Sequence, residues 1–229
     1  MNRRYYAVIL AGGQGSRMGY DMPKQFIEVE GKPILRYTIE RFMEAFEFID
    51  IIVVLPSGEK EYWKEYCNRT GFLKRYIMPS GGITRFHSVQ NALRYVPDGA
   101  IVAVHDGVRP FVTSDFIRSM FEKMEECDAL VPVIQPVESL REIGPEGTST
   151  AVDRSRYRLV QTPQIFHSEL LKEAYAQPYN PLFTDDASVV EYLGHKISLC
   201  EGLGGNIKIT TPEDLAIAQA ILREGEALG

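Results

Sequence analysis

The feature that most constrains this chain is an alternation. Short runs rich in β-branched residues, at Tyr5–Leu10, 51–55, 100–104 and 129–133, are separated by longer stretches with apolar residues at helical spacing. Those stretches cover 34–46, 59–68, 88–95 and 114–126, with Ser114 read as the N-cap of the last, and 75–78 reads as a short, weak strand. Strands that follow one another through intervening helices at this spacing join as βαβ units. The expected fold is therefore α/β, a mostly parallel, Rossmann-like sheet flanked by helices. The strand segments are apolar throughout rather than alternating, as burial on both faces requires.

The rhythm changes after Ile134. Residues 137–143 and 148–160 read as two extended runs around Gly144-Pro145-Glu146-Gly147, a β-hairpin arm inserted at about 135–160. Such an arm has no core of its own, so it either lies on its own subunit or packs against a second one. Helices are expected at 168–175 and 185–193, a strand at 196–200, and a terminal helix opened by Thr211 as N-cap and Pro212 at the first helical position. With no internal repeat or linker, residues 1–229 read as a single domain carrying the arm.

Composition serves mainly to exclude. With 25 Lys and Arg against 31 Asp and Glu, the net charge of −6 makes a nucleic-acid partner improbable. No apolar run approaches the roughly 18–20 residues that span a bilayer, so no membrane partner is expected. The N-terminal apolar run meets Gly12-Gly13 at once, without a signal-peptide cleavage site. Cys67, Cys127 and Cys200 stand far apart with no C-x-x-C spacing, which argues against disulfides and zinc and for a cytoplasmic setting.

The first strand runs into Ala11-Gly12-Gly13-Gln14-Gly15-Ser16-Arg17-Met18-Gly19. Glycines here let backbone N–H groups approach a phosphate without Cβ interference. The dinucleotide fingerprint fails, because Met18 stands where its third glycine belongs, and the Walker pattern fails for want of a closing Gly-Lys-Ser/Thr. What remains is a glycine loop carrying Arg17 and followed by Pro23-Lys24-Gln25, two cations suited to a triphosphate. A tight turn with two surface cations is the plainer alternative. Elsewhere, Asp106 ends a buried strand, where ligands of open α/β sheets bind and where a carboxylate suits Mg²⁺. His105 reads as a packing or hydrogen-bonding residue rather than a base, and Arg109 as a phosphate contact.

Six blocks in order carry a resemblance: the glycine loop with Pro23-Lys24-Gln25, Gly81-Gly82-x-x-Arg85-x-x-Ser88, His105-Asp106-x-x-Arg109-Pro110, Thr162-Pro163-Gln164-x-Phe166, Thr184-Asp185-Asp186-Ala187-Ser188, and Asn206-Ile207-Lys208 with Pro212-Glu213-Asp214-Leu215. Over about residues 6–222 the chain resembles the 2-C-methyl-D-erythritol 4-phosphate cytidylyltransferases of non-mevalonate isoprenoid biosynthesis. The resemblance implies CTP as co-substrate and a polyol phosphate as acceptor. It makes Arg17, Lys24 and Lys208 the catalytic cations, and places Ala11, Gly12, Gly13, Gly15, Gly82, Arg85 and Ser88 around the nucleotide. It makes Asp106 the Mg²⁺ ligand, helped by Asn206, and gives the acceptor to Arg109, Ser139, Arg154, Thr162 and Thr184. The arm residues Ser139 and Arg154, beside Arg141 and Asp153, would act from the partner of a homodimer. Ser139 stands where the family commonly has Thr, and Gly107-Val108 replaces the commoner pair of alanines. Transfer to another polyol phosphate such as ribitol 5-phosphate, or a non-catalytic nucleotide-binding regulatory domain, stay open on the residues alone.

Overall fold

The computed structural model describes residues 4–13, 22–72 and 75–227. In chain order the elements are β1 (Tyr5–Leu10), β2 (Glu28–Val29), β3 (Lys32–Pro33), α1 (Ile34–Ala45), β4 (Asp50–Val54), α2 (Lys60–Thr70), β5 (Tyr76–Ile77), α3 (Arg85–Leu93), β6 (Ile101–Asp106), α4 (Ser114–Lys123) and β7 (Ala129–Ile134). They continue as β8 (Arg141–Ile143), β9 (Ser149–Ala151), β10 (Leu159–Val160), β11 (Gln164–His167), α5 (Ser168–Ala176), α6 (Asp186–Tyr192), β12 (Ser198–Glu201) and α7 (Pro212–Ala227).

Eight strands form one sheet. β1 pairs in parallel with β4 on one side and β6 on the other, and β4 pairs in parallel with β5. β11 is antiparallel to both β6 and β7, so those two run the same way, and β12 extends the parallel set beyond β7. The expected α/β class with a mostly parallel sheet is what forms, with an antiparallel strand at its middle that the alternation did not indicate. The chain leaves β1 toward β4 and returns on its other side at β6. This reversal makes the C-terminal ends of β1, β4 and β6 the place where a ligand crevice opens.

Alternate residues of the central strands build two cores. Ala7, Ile9, Ile51, Val53, Ile101 and Ala103 face α1, α2 and α4, whose Phe42, Trp63 and Phe121 are fully buried among them. Tyr6, Val8, Ile52, Val54, Val102 and Val104 face α3, α5 and α6, through Phe86, Leu171 and Val190. Apolar side chains on both faces explain the continuous hydrophobic runs.

Three local expectations are corrected. The cap of α4 is Thr113, whose hydroxyl accepts from Phe116 N at 3.2 Å, because its own backbone is extended while Ser114 is already helical. α3 starts three residues earlier than its apolar spacing indicated, with Thr84 as its N-cap. The second arm run divides into β9, a 3-10 turn at Arg154–Arg156 and β10, which returns to the main sheet along β7. The hairpin proper is β8 with β9, and all of its strand residues are exposed. At α7 the expected start holds: Asp214 N donates to Thr211 Oγ1, and Thr211 N donates back to Asp214 Oδ2.

Candidate active site

The register Leu10↔Val54 and Leu10↔Asp106 sets three strand ends side by side. Beyond them opens a cavity of about 270 Å³, walled by Ala11, Gly12, Gly13, Lys24, Gly82, Arg85, Ser88, Asp106 and Lys208 among others. Every described residue that the sequence placed at the nucleotide or made catalytic is in this wall. Gly15 and Arg17 lie outside the described residues. Lys24 lies over the loop: a Cβ on Gly13 would stand 3.2 Å from Lys24 Cε and 3.6 Å from its Nζ. Glycine at 13 is what lets the ammonium come down on the backbone.

A second cavity of about 240 Å³ holds Arg109, Thr162, Thr184, Gln164 and Asp185, and it shares Arg85, Asp106 and Lys208 with the first. Asp106 is the centre of this common wall. Its Oδ2 is 2.9 Å from Lys208 Nζ and 3.4 Å from Arg109 Nε, and its Oδ1 is 3.8 Å from Arg85 Nε. Burial alone would raise the carboxyl's pKa. Arg85, then Lys208 and Arg109, overcome that and hold it well below the usual carboxylate range.

The strand end is fixed by a hydrogen-bond chain whose directions follow from chemistry. The Arg109 carbonyl only accepts, so His105 Nε2, at 3.1 Å, carries the proton and donates. His105 Nδ1 is then the acceptor, and Thr162 Oγ1, at 3.0 Å, donates to it. The same hydroxyl accepts from Asp106 N at 3.1 Å. Burial lowers the His105 pKa to about 4, so the imidazole is neutral near pH 7. Fully buried and edge-on to Phe42, it is the packing and hydrogen-bonding residue the sequence suggested.

Asn206 is fully buried behind the wall. Its amide nitrogen donates to the Thr162 carbonyl at 2.8 Å, its own carbonyl accepts from Arg109 Nη1 at 2.8 Å, and its Oδ1 has no protein partner. It lines neither cavity. Ser139 and Arg154 also line neither: Ser139 is exposed on the arm, and Arg154 donates to the Val137 carbonyl within it. Sequence reasoning gave no role to Asp186, which holds Arg85, or to Tyr175, whose hydroxyl donates to Asp186. Asp186 does stand inside one of the quoted blocks, but its partner at Arg85 is 101 residues away.

Comparison with known proteins agrees with this geometry. A family model described as "2-C-methyl-D-erythritol 4-phosphate cytidylyltransferase" matches residues 5–224. A protein of that name from Bacteroides thetaiotaomicron is 50% identical over 215 residues, 94% of this chain and 98% of the relative. Another of the same name, from Phocaeicola vulgatus, is 49% identical over 222 residues, 97% of this chain and 100% of the relative. Among solved structures, 4-diphosphocytidyl-2C-methyl-D-erythritol synthase from Anaerococcus prevotii superposes with a TM-score of 0.82 at 26% identity, covering 96% of each chain. A glycine loop under Lys24, an Asp106 ringed by cations and a match that runs almost end to end lead to one assignment: the chain belongs to the 2-C-methyl-D-erythritol 4-phosphate cytidylyltransferase family.

Proposed function

We propose that this enzyme transfers the cytidylyl group of CTP to 2-C-methyl-D-erythritol 4-phosphate, giving 4-diphosphocytidyl-2-C-methyl-D-erythritol and pyrophosphate, in non-mevalonate isoprenoid precursor biosynthesis. The observation that carries the reading is the common wall: two cavities, one against the glycine loop and one against Arg109 and Thr184, meet at Arg85, Asp106 and Lys208. A nucleotide in the first and a phosphorylated polyol in the second would meet across that wall.

In the reaction an oxygen of the acceptor phosphate forms a bond to the α-phosphorus of CTP. The bond from that phosphorus to the bridging oxygen breaks, and pyrophosphate leaves with the electron pair. The attacking oxygen is already anionic near pH 7, so no base is needed, in keeping with a neutral His105 whose two nitrogens are both engaged. Lys24 and Lys208, together with Arg17, neutralise charge that develops on the α-phosphate and the leaving group. The wall's contribution is positioning: ionised Asp106 orients Lys208, Arg109 and Arg85 before any substrate arrives.

Mg²⁺ belongs to the same proposal. No group of three His, Cys, Asp or Glu among the described residues would hold a metal. Asp106, ionised at the wall the two cavities share, would be the ion's carboxylate ligand, with nucleotide phosphates and water supplying the rest of its shell. When bound, the ion supplies charge neutralisation and orientation of phosphate oxygens.

The arm makes the enzyme a homodimer in this reading. Val137 is 82% exposed and Ile143 69% exposed, an apolar surface suited to a second subunit, where Arg154 and Ser139 would reach the acceptor. The free thiols of Cys67, Cys127 and Cys200 suit the cytoplasm. The test is pyrophosphate release by purified enzyme with Mg²⁺, CTP and either acceptor. Release with methylerythritol phosphate is expected. A preference for ribitol 5-phosphate would reassign the substrate, and release with neither would favour a regulatory nucleotide-binding module.

A further inference from the structure

Arg85 does more than line the nucleotide cavity. It opens α3, and its guanidinium crosses to the first residue of α6, donating from Nη1 to Asp186 Oδ1 at 2.8 Å and from Nη2 to Asp186 Oδ2 at 2.6 Å. The Asp186 side chain is fully buried, where an unpaired carboxylate would be costly. A third bond completes its shell: Tyr175 Oη donates to Asp186 Oδ1 at 2.6 Å. Because a guanidinium is planar, seating both Nη atoms on one carboxylate dictates where Nε points. It points to Asp106, 3.8 Å from Oδ1, at the wall the two cavities share.

We propose that Tyr175 and Asp186 are positioning residues for the transfer: through their hydrogen bonds they aim Arg85 at the junction of the nucleotide and acceptor cavities. The two elements joined carry opposite walls. α3 brings Ser88 to the nucleotide side, and the segment entering α6 brings Thr184 and Asp185 to the acceptor side. That segment is itself fixed, since Gln164 Nε2 donates to Asp185 Oδ2 at 2.8 Å and Gln164 Oε1 accepts from Ala187 N at 2.9 Å. Arg85 is therefore a strut of defined length and angle between two separately anchored walls. Neither Tyr175 nor Asp186 lines either of these two cavities, so both reach the reaction through Arg85.

The inference rests on the proposed cytidylyl transfer. The clean perturbation is Tyr175→Phe, because the ring stacks on Phe86 with centroids 4.7 Å apart and keeps that contact without its hydroxyl. The experiment measures kcat and KM for CTP and for methylerythritol phosphate, with thermal unfolding, in wild type, Tyr175→Phe, Arg85→Lys and the double variant. Tyr175→Phe is expected to lower kcat/KM for both substrates about tenfold and the melting temperature by only several degrees, since Asp186 keeps both bonds to Arg85. The double variant is expected to be no worse than Arg85→Lys within about twofold, since the hydroxyl has no route to the substrates except Arg85. Wild-type kinetics in Tyr175→Phe, or full multiplication of the two penalties in the double variant, would overturn the positioning role. A wild-type enzyme inert with both acceptors would instead overturn the functional reading on which it rests.

Discussion

Replacing Gly82 with alanine probes the wall of the proposed nucleotide cavity at its least forgiving point. A Cβ built there lies 2.3 Å from His87 Cβ, 2.8 Å from the His87 carbonyl carbon and 3.1 Å from its Cα. Carbon atoms rest at about 3.5–4.0 Å, so the contact must open by more than about 1 Å. Two of the atoms met are α3 backbone, so no rotamer change relieves the clash. The start of α3 has to move, and with it Arg85 and Ser88, both in the cavity wall. Overpacking of this kind costs on the order of 1–3 kcal/mol, equivalent to a fall in Tm of about 2–4 °C per kcal/mol for a chain of this size. Misplacing a positioning group by about 1 Å costs about 10²-fold in rate. The assay is pyrophosphate release under varied CTP, alongside thermal unfolding. Gly58→Ala serves as control, since a Cβ there meets nothing within 4 Å. Gly82→Ala is expected to lose about 10²-fold in kcat/KM for CTP and to melt several degrees lower, with Gly58→Ala unchanged. Equal activity and equal Tm in both variants would refute the steric argument and the placement of α3 against the nucleotide.

Other outcomes follow from the charges and the arm. Lys24→Ala and Lys208→Ala are each expected to lower kcat by about 10² or more with a smaller change in CTP affinity, measured by steady-state kinetics and calorimetry; near wild-type turnover in either would remove it from the catalytic set. Acid stability has a defined window. His105 has a folded pKa of about 4 against 6.5 unfolded. Its contribution is complete above 6.5 and drains as pH falls toward 4, because the unfolded chain takes the proton first. The loss is on the order of 3 kcal/mol, and His105→Asn should flatten the curve of Tm against pH over that interval. The depressed pKa of Asp106 acts lower: its contribution is present above the ordinary carboxylate range and is lost at more acidic pH. Ile143→Asp, on the exposed hairpin, is expected to shift the proposed dimer to monomer in sedimentation and to raise KM for the acceptor more than for CTP; an unchanged oligomeric state would detach the arm from assembly.

The parallel strands were legible because burial on two faces writes itself as unbroken apolar runs, and β1, β4, β6 and β7 form within a residue or two of those runs. β11 was not, since four residues after Thr162-Pro163 give too little pattern to mark a strand, and its antiparallel place between β6 and β7 is decided by tertiary pairing. The arm's second run was extended as read, but local propensity does not say whether a strand pairs with the hairpin or with the sheet. At the site, the glycine loop, Lys24 and Asp106 were legible because a strand end and a glycine loop with fixed charge announce themselves locally, whereas Lys208, a lone lysine in its segment, was indicated only by the family resemblance. The grip of Asp186 on Arg85, backed by Tyr175, was hidden, since nothing within a segment tells a buried carboxylate which distant guanidinium will meet it. Thr162 was expected at the acceptor; it lines the second cavity, and its hydroxyl also donates to His105 and accepts from the Asp106 backbone.

The central claim is a single transfer between two substrates that meet over Asp106. Phosphorus NMR of wild-type enzyme with Mg²⁺, CTP and methylerythritol phosphate reads it most directly. Loss of the acceptor monophosphate resonance, with one diphosphodiester and one pyrophosphate formed per CTP consumed, is the predicted result. Pyrophosphate or CMP formed without a diphosphodiester, or no change in either substrate, would contradict the account.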